Sequence, residues 1–212
     1  MDTLFTADQA LIDKVIDKEW IMFQRVNEES GSRASCQEDR HTFNGMRRAQ
    51  FEAWSQEALE SYFNDLTLAA LAGRNLLKEK YIHMMKATAP ADYELLLPQV
   101  AMPTAETAAL ASRLSNKIVE QAKEVHGKYA QVAKFGRPID ASQDNNGETS
   151  IETYQMGEML TYSKKTLVAL SLHIEALEKV GVLFAQALLE NTVKFYNYNS
   201  LAEADAAAGT ML

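Results

Sequence analysis

The chain carries one cysteine, Cys36, in 212 residues. No internal disulfide can form, so the fold rests on its core, and a reducing cytoplasm is the expected compartment. The opening residues lack a basic segment followed by an apolar run, so no secretory leader is expected. No uninterrupted apolar run approaches the roughly 18 residues of a membrane-spanning helix, and no membrane association is expected. Positive charge is scarce: 21 Lys and Arg stand against 29 Asp and Glu, a net charge of −8. A basic face for nonspecific nucleic-acid binding is therefore not expected, and a local basic pocket stays compatible with the charge. Strand signals are almost absent, since no stretch alternates cleanly between apolar and polar residues. GxSxG, P-loop and GxGxxG patterns are absent too, which removes the simplest hydrolase, nucleotide and dinucleotide readings.

What is there is helical spacing. Apolar residues make up 47% and charged residues 24% of the chain, a globular composition, and the length fits one domain over 1–212. The expectation is an all-α irregular bundle of about six or seven helices. The first starts at Thr6, where Gln9 completes a capping-box spacing, and runs to about Asn27. Its inward stripe is Ile12, Val15, Ile16, Glu19, Phe23 and Val26. A glycine- and serine-containing loop leads to a second helix from about Thr42 to Trp54. Residues 55–88 form one long helix or two stacked ones, with Gly73 as a kink. Pro90, Pro98 and Pro103 mark an irregular linker. Thr104 caps a helix to about Phe135, closed by Gly136 and Pro138. Thr149 and Glu152 form another capping box, opening a helix from Ile151 to about Lys179. A helix from about Val182 to Tyr196 follows. Ser200 and Glu203 open a short last one, with a frayed tail near 205–212.

The densest mixture of functional groups is ASCQEDRHTFNGMRRAQFEAW, residues 34–54. Phe43, Arg47, Gln50 and Trp54 share one helix face. If the aromatics face inward, Arg47 and Gln50 are carried with them. A buried arginine demands a partner, either an internal carboxylate such as Glu19 or an anionic ligand; the alternative is that Arg47 snorkels along the helix edge. In GRNLLKEKYIHMM, Leu76, Leu77, Tyr81 and Met84 define the apolar side, and Lys80 points inward beside them or lies solvated. Asn75, Glu79 and His83 read as helix-surface pairs. An inward Lys80, if desolvated, is a base or Schiff-base nucleophile. Tyr154, Glu158, Thr161 and Tyr162 form a hydrogen-bonding side that fixes a unique core or holds a substrate. Cys36 precedes a helix start close to Arg33, Arg40 and His41, a setting that lowers a thiol pKa; a lone cysteine is more often inert. Only Glu38 and His41 have the i, i+3 spacing of a carboxylate-bridged di-metal bundle, so no metal or other cofactor is expected.

Four segments carry a resemblance: Glu19 to Phe23, Cys36 to Trp54, Gly73 to Pro90 and Thr149 to Ser163. With their spacing they resemble a bacterial family catalogued as a domain of unknown function, over most of the chain. The resemblance implies a bacterial, cytoplasmic protein and brings no assigned activity. Its hallmark positions here are polar: Glu19, Cys36, Gln37, Asp39, Arg47, Gln50, Arg74, Asn75, Glu79, Lys80, Tyr81, Glu152, Tyr154, Glu158 and Tyr162. A purely structural helical family would be marked by its apolar positions instead.

These readings converge on a polar pocket between the first, second, third and fifth major helices, with the loop before Thr42 folded over its mouth. The leading expectation is a metal-independent enzyme, of lyase or transferase type, acting on a carboxylate-bearing metabolite. Arg47 and Arg74 would anchor the anion, with Gln37, Asp39, Gln50, Tyr81 and Tyr154 also contacting it. Glu19, Glu158 and Tyr162 are candidate proton carriers, and Lys80 and Cys36 candidate nucleophiles. The alternatives are a ligand-binding or regulatory module without turnover and a metal-dependent bundle enzyme. The expected partner is a small anionic molecule, with no nucleic acid or membrane, and a homo-oligomer is compatible with the sequence.

Overall fold

The computed structural model describes residues 7–28, 35–145 and 148–211. Thr6, Gly31 and Arg33 lie outside the described residues. Among the described residues there are eleven α-helices and no strand. The all-α expectation therefore holds, while the count exceeds six or seven because the longer helices are broken. They are α1 (Gln9–Phe23), α2 (Arg40–Phe51), α3 (Gln56–Leu71), α4 (Leu76–Thr88), α5 (Pro90–Leu96), α6 (Ala105–Lys128), α7 (Ala130–Ala133), α8 (Ile151–Met159), α9 (Lys164–Lys179), α10 (Phe184–Phe195) and α11 (Leu201–Met211).

Most breaks have local chemistry behind them. Asp8 accepts from the Ala10 amide and caps α1, whose helical hydrogen bonding gives way to turns after Phe23. Between α3 and α4, Gly73 takes φ +70 and the Arg74 amide returns to the Ala69 carbonyl at 2.8 Å. That is a glycine-closed helix end rather than a kink. Asn75 then caps α4 through the Lys78 amide. The proline linker contains α5, with Pro90 at the position where a missing N–H costs nothing. Thr104 caps α6 as its sequence predicts.

The expected helix from Ile151 to Lys179 is two helices. Ser150, rather than Thr149, caps α8 through the Thr153 amide, while Glu152 reaches out to the Ala141 amide at 2.8 Å. The chain turns at Leu160 to Tyr162, and Ser163 caps α9. That second start is fixed from afar: Asp65 on α3 accepts from the Ser163 amide at 3.0 Å and from the Thr166 hydroxyl at 2.6 Å. At the other end α11 continues to Met211 instead of fraying from 205, and Asp205 accepts the Gln131 and Val132 amides of α7.

One large apolar cluster gathers side chains from α1, α3, α6, α9 and the segments around them. α4 lies along α8, α2 along α10, α3 along α9, and α6 touches α8, α9 and α10. Two contacts are unusually close. A Cβ on Gly157 of α8 would meet the Lys80 carbonyl at 3.0 Å, and one on Gly45 of α2 would meet the Phe195 ring at 2.1 Å. Among the described residues, no helix is long and apolar enough to cross a membrane.

Candidate functional site

The apolar stripe of α1 carries Glu19 into the core, where it is 0% exposed. A carboxylate there requires charged or hydrogen-bonding partners. Arg47 of α2 supplies them, with Nε 2.6 Å from Oε2 and Nη2 2.5 Å from Oε1. The Tyr62 hydroxyl donates to the same Oε1 at 2.7 Å. Arg47 Nη2 also donates to Glu158 Oε1 at 2.6 Å, and Nη1 donates to Gln50 Oε1 at 2.7 Å. Four of the five guanidinium hydrogens are thereby engaged. Lys80 of α4 closes the cluster: its Nζ lies 3.4 Å from Glu158 Oε2 and 3.6 Å from the centre of the Tyr154 ring. Two carboxylates and two cations balance, as burial demands.

This arrangement fixes protonation states. Burial alone would raise the Glu158 pKa, but Arg47 and Lys80 outweigh it and hold the carboxyl well below its ordinary value. Burial, joined by the nearby carboxylates, pushes the Tyr62 and Tyr162 phenols well above theirs. Arg47 stays charged although burial opposes it, because Glu158 and Glu19 face it. Aromatic rings pack beneath the cluster, with Tyr62 and Tyr162 centred 4.9 Å apart and Trp54 5.7 Å from Tyr162.

Arg47, Tyr154 and Glu158 stand between two spaces. One is a cavity of about 420 Å³, at the lower end of ligand-pocket sizes. Gln50 and Tyr162 join those three at its polar end, and Ile118, Leu170, Phe184 and Leu188 are among its apolar walls. The other, about 20 Å³, touches Glu19, Tyr62, Lys80 and Tyr81 and has room for about one water.

The sequence-predicted residues thus divide. Glu19 and Arg47 are both interior, as their stripes predict, yet the space they share is the small one. Lys80 points inward at 5% exposure and is likewise confined to the small space. Tyr81 is beside it, its phenol pKa raised by burial first and then by Tyr154 and Cys36. Gln50, Tyr154, Glu158 and Tyr162 do line the large cavity.

Four of the candidate residues line neither space. Cys36 is exposed and lines neither space. Gln37 is buried because its Nε2 donates to the Phe23 carbonyl at 2.7 Å, tying its loop to the end of α1. Asp39 is exposed and caps α2 through the Thr42 amide, which holds its pKa down. Arg74 forms a two-pronged pair with Glu79 at 2.8 and 2.6 Å and faces a different groove. Glu79 and His83, read as surface pairs, are buried, and His83 Nε2 has no hydrogen-bond partner among the described residues. The mouth is not built by the described part of the loop before Thr42. It also owes nothing to α1, α3 or α4; α6 and α10 take their place.

Arg137 is the charged wall residue that sequence reasoning missed. It sits in a loop where helical periodicity says nothing; its arginine chemistry beside Gly136 and Pro138 was the only signal. Its Nη1 donates to the Thr149 carbonyl at 2.8 Å, and its guanidinium carbon lies 4.9 Å from the Tyr154 ring centre. Among the described residues, no group of three or more His, Cys, Asp or Glu side chains comes together that could hold a metal ion.

No curated protein and no solved structure matches the chain. The family described as "Protein of unknown function (DUF4125)" matches residues 9–206, nearly the whole chain and all four segments that carry the resemblance, and the protein belongs to that family.

Proposed function

We propose that the protein is a small-molecule binding module of the bacterial cytoplasm, and that its ligand occupies the cavity of about 420 Å³ bounded by α2, α6, α8, α9 and α10. The observation that carries this reading is the wall itself. An apolar body formed by residues such as Ile118, Leu170 and Phe184 ends on a hydrogen-bonding cap of Gln50, Tyr154, Glu158 and Tyr162. Ligand pockets have this division: apolar area supplies affinity and a few polar groups fix orientation. The cap favours holding over turnover. Glu158 is kept as a carboxylate and Tyr162 as a phenol, so neither is poised to exchange a proton near neutral pH, as general acid–base catalysis requires.

The test is extraction of the purified protein followed by mass spectrometry, beside Leu188→Trp, which places an indole in the cavity. About one equivalent of a small molecule is expected in the wild type and much less in the variant, and the molecule returns chemically unchanged after incubation. Conversion to a new mass would instead make the cavity an active site. Equal ligand content in wild type and Leu188→Trp would move the binding site elsewhere.

A further inference from the structure

We propose that Arg137 is the anion-recognising residue of this cavity. Its ligand is a small monocarboxylic acid with a flat or branched apolar body and a distal hydroxyl, lying lengthwise along α8. This rests on the reading of the cavity as a ligand site.

The charges of the wall set the orientation. Arg47 has already committed four hydrogens to Glu19, Glu158 and Gln50. Arg25, Arg40, Arg48 and Arg74 are each paired with a carboxylate. Arg137 lines the cavity with no carboxylate partner among the described residues. Arg137 is exposed, and among the described residues its guanidinium makes one hydrogen bond, to the Thr149 carbonyl, and lies over the Tyr154 ring, which leaves four of its five N–H groups open to solvent or a ligand. A planar fork with two parallel donors matches a carboxylate.

The start of α8 does not compete for that anion. The Ile151 and Glu152 amides donate to the Pro138 and Ile139 carbonyls at 2.8 and 3.1 Å, and the Thr153 amide to the Ser150 hydroxyl at 3.1 Å. At the other end stands Glu158, which repels a carboxylate and accepts from a hydroxyl. Gln50 and the last Arg47 hydrogen are beside it. The lining residues Ile151, Tyr154 and Glu158 mark the path between the two ends. Seven residues of helix separate Ile151 from Glu158, about 10 Å at 1.5 Å per residue. That rise sets the scale of the cavity along α8, and a hydroxyaryl propionic acid, with its carboxylate and hydroxyl at opposite ends, is a probe of comparable length. Arg137 brings a single positive charge, which matches the one negative charge of a carboxylate better than the nearly two of a phosphate.

The experiment titrates 3-(4-hydroxyphenyl)propanoate, its primary amide and inorganic phosphate into wild type, Arg137→Gln, Arg137→Lys and Leu188→Trp, followed by calorimetry and tryptophan fluorescence. Trp54 lines the cavity and reports occupancy. The acid is expected to bind the wild type at least ten-fold tighter than the amide. That preference should vanish in Arg137→Gln and survive in part in Arg137→Lys, with amide affinity within about two-fold of wild type in both. Acid binding should be lost in Leu188→Trp. Equal binding of acid and amide, an acid preference that persists in Arg137→Gln, or phosphate binding as tight as the acid would each overturn the inference. In those cases, amide binding that disappears in Leu188→Trp would leave the ligand-site reading standing. Binding of neither acid nor amide overturns the inference, while a co-purified ligand displaced by Leu188→Trp would still sustain that broader reading.

Discussion

Arg47 joins two carboxylates that would otherwise face each other in the core. Its Nη2 is within 2.6 Å of both Glu19 and Glu158. Removing one member of such a cluster leaves the rest charged and desolvated, which costs more than the pair contributes. Glu19→Ala is expected to destabilise by about 3–5 kcal/mol, and Arg47→Ala by at least as much, since it strands two carboxylates beside Lys80 alone. Urea unfolding midpoints check this, and a loss below about 1 kcal/mol would show that water reaches the pair. Burial of these residues was legible in the sequence because Glu19 and Arg47 each interrupt an apolar helical stripe. Their mutual saturation was not, because it depends on Glu158, 111 positions from Arg47. Arg137 was not legible at all, for its loop has no period. Cys36 drew attention through its neighbours in sequence, but it is exposed while Gln37 in the same turn is buried.

Helix starts read well where the cap is local, as at Ser55 and Thr104, whose hydroxyls accept amides three residues on. They read badly where a distant group decides. At α9 a local cap, Ser163 accepting the Thr166 amide, is joined by Asp65 from α3, and the helical periodicity running through Leu160 to Tyr162 hides the stop before it. Gly157 is an element-scale feature whose meaning also appears only in three dimensions. As an interior helical glycine it costs roughly 1 kcal/mol against alanine. Yet an alanine Cβ there would lie 2.8 Å from Met84 Cγ and 3.0 Å from the Lys80 carbonyl. Met84 can swing aside; the backbone of α4 cannot without moving Lys80 away from Glu158. Overpacking of this kind costs about 1–3 kcal/mol, which exceeds the propensity gain through most of that range. Gly157→Ala is therefore expected to lower the thermal midpoint despite its better helix propensity. An unchanged or raised midpoint would mean that α4 and α8 separate easily.

At the scale of the whole molecule, the helical class was legible from periodicity, but the cavity was not, because α6 and α10 enter its wall only through tertiary packing. Burial of ionisable groups gives the molecule a further property that periodicity cannot show, a bounded pH range of stability. On the acid side, burial lowers the pKa of His83, His126 and His173 from 6.5, with Lys86 reinforcing it at His83 and the Ala53 carbonyl opposing it at His173. As pH falls below about 6.5 the unfolded chain takes up these protons first, so unfolding is favoured and stability declines. Glu158, held below its ordinary 4.5, adds a second loss that begins as pH drops under that value. On the alkaline side Tyr62, Tyr81 and Tyr162 have pKa values raised above 10.0. The unfolded chain ionises there while the folded phenols keep their protons, so stability is lost as pH rises past 10. Scanning calorimetry should find a plateau between about pH 7 and 9, a descent that begins near 6.5 and steepens below 4.5, and an alkaline descent from about 10. His83→Leu tests the first limb, since His83 Nε2 has no hydrogen bond to lose among the described residues. The variant should descend less steeply below pH 6.5, by at most the contribution of one proton, about 1.4 kcal/mol per pH unit, and keep the alkaline limb unchanged. An acid limb identical to the wild type would show that His83 gains its proton as readily in the folded protein as in the unfolded chain, and that water reaches the interface where α4 buries it.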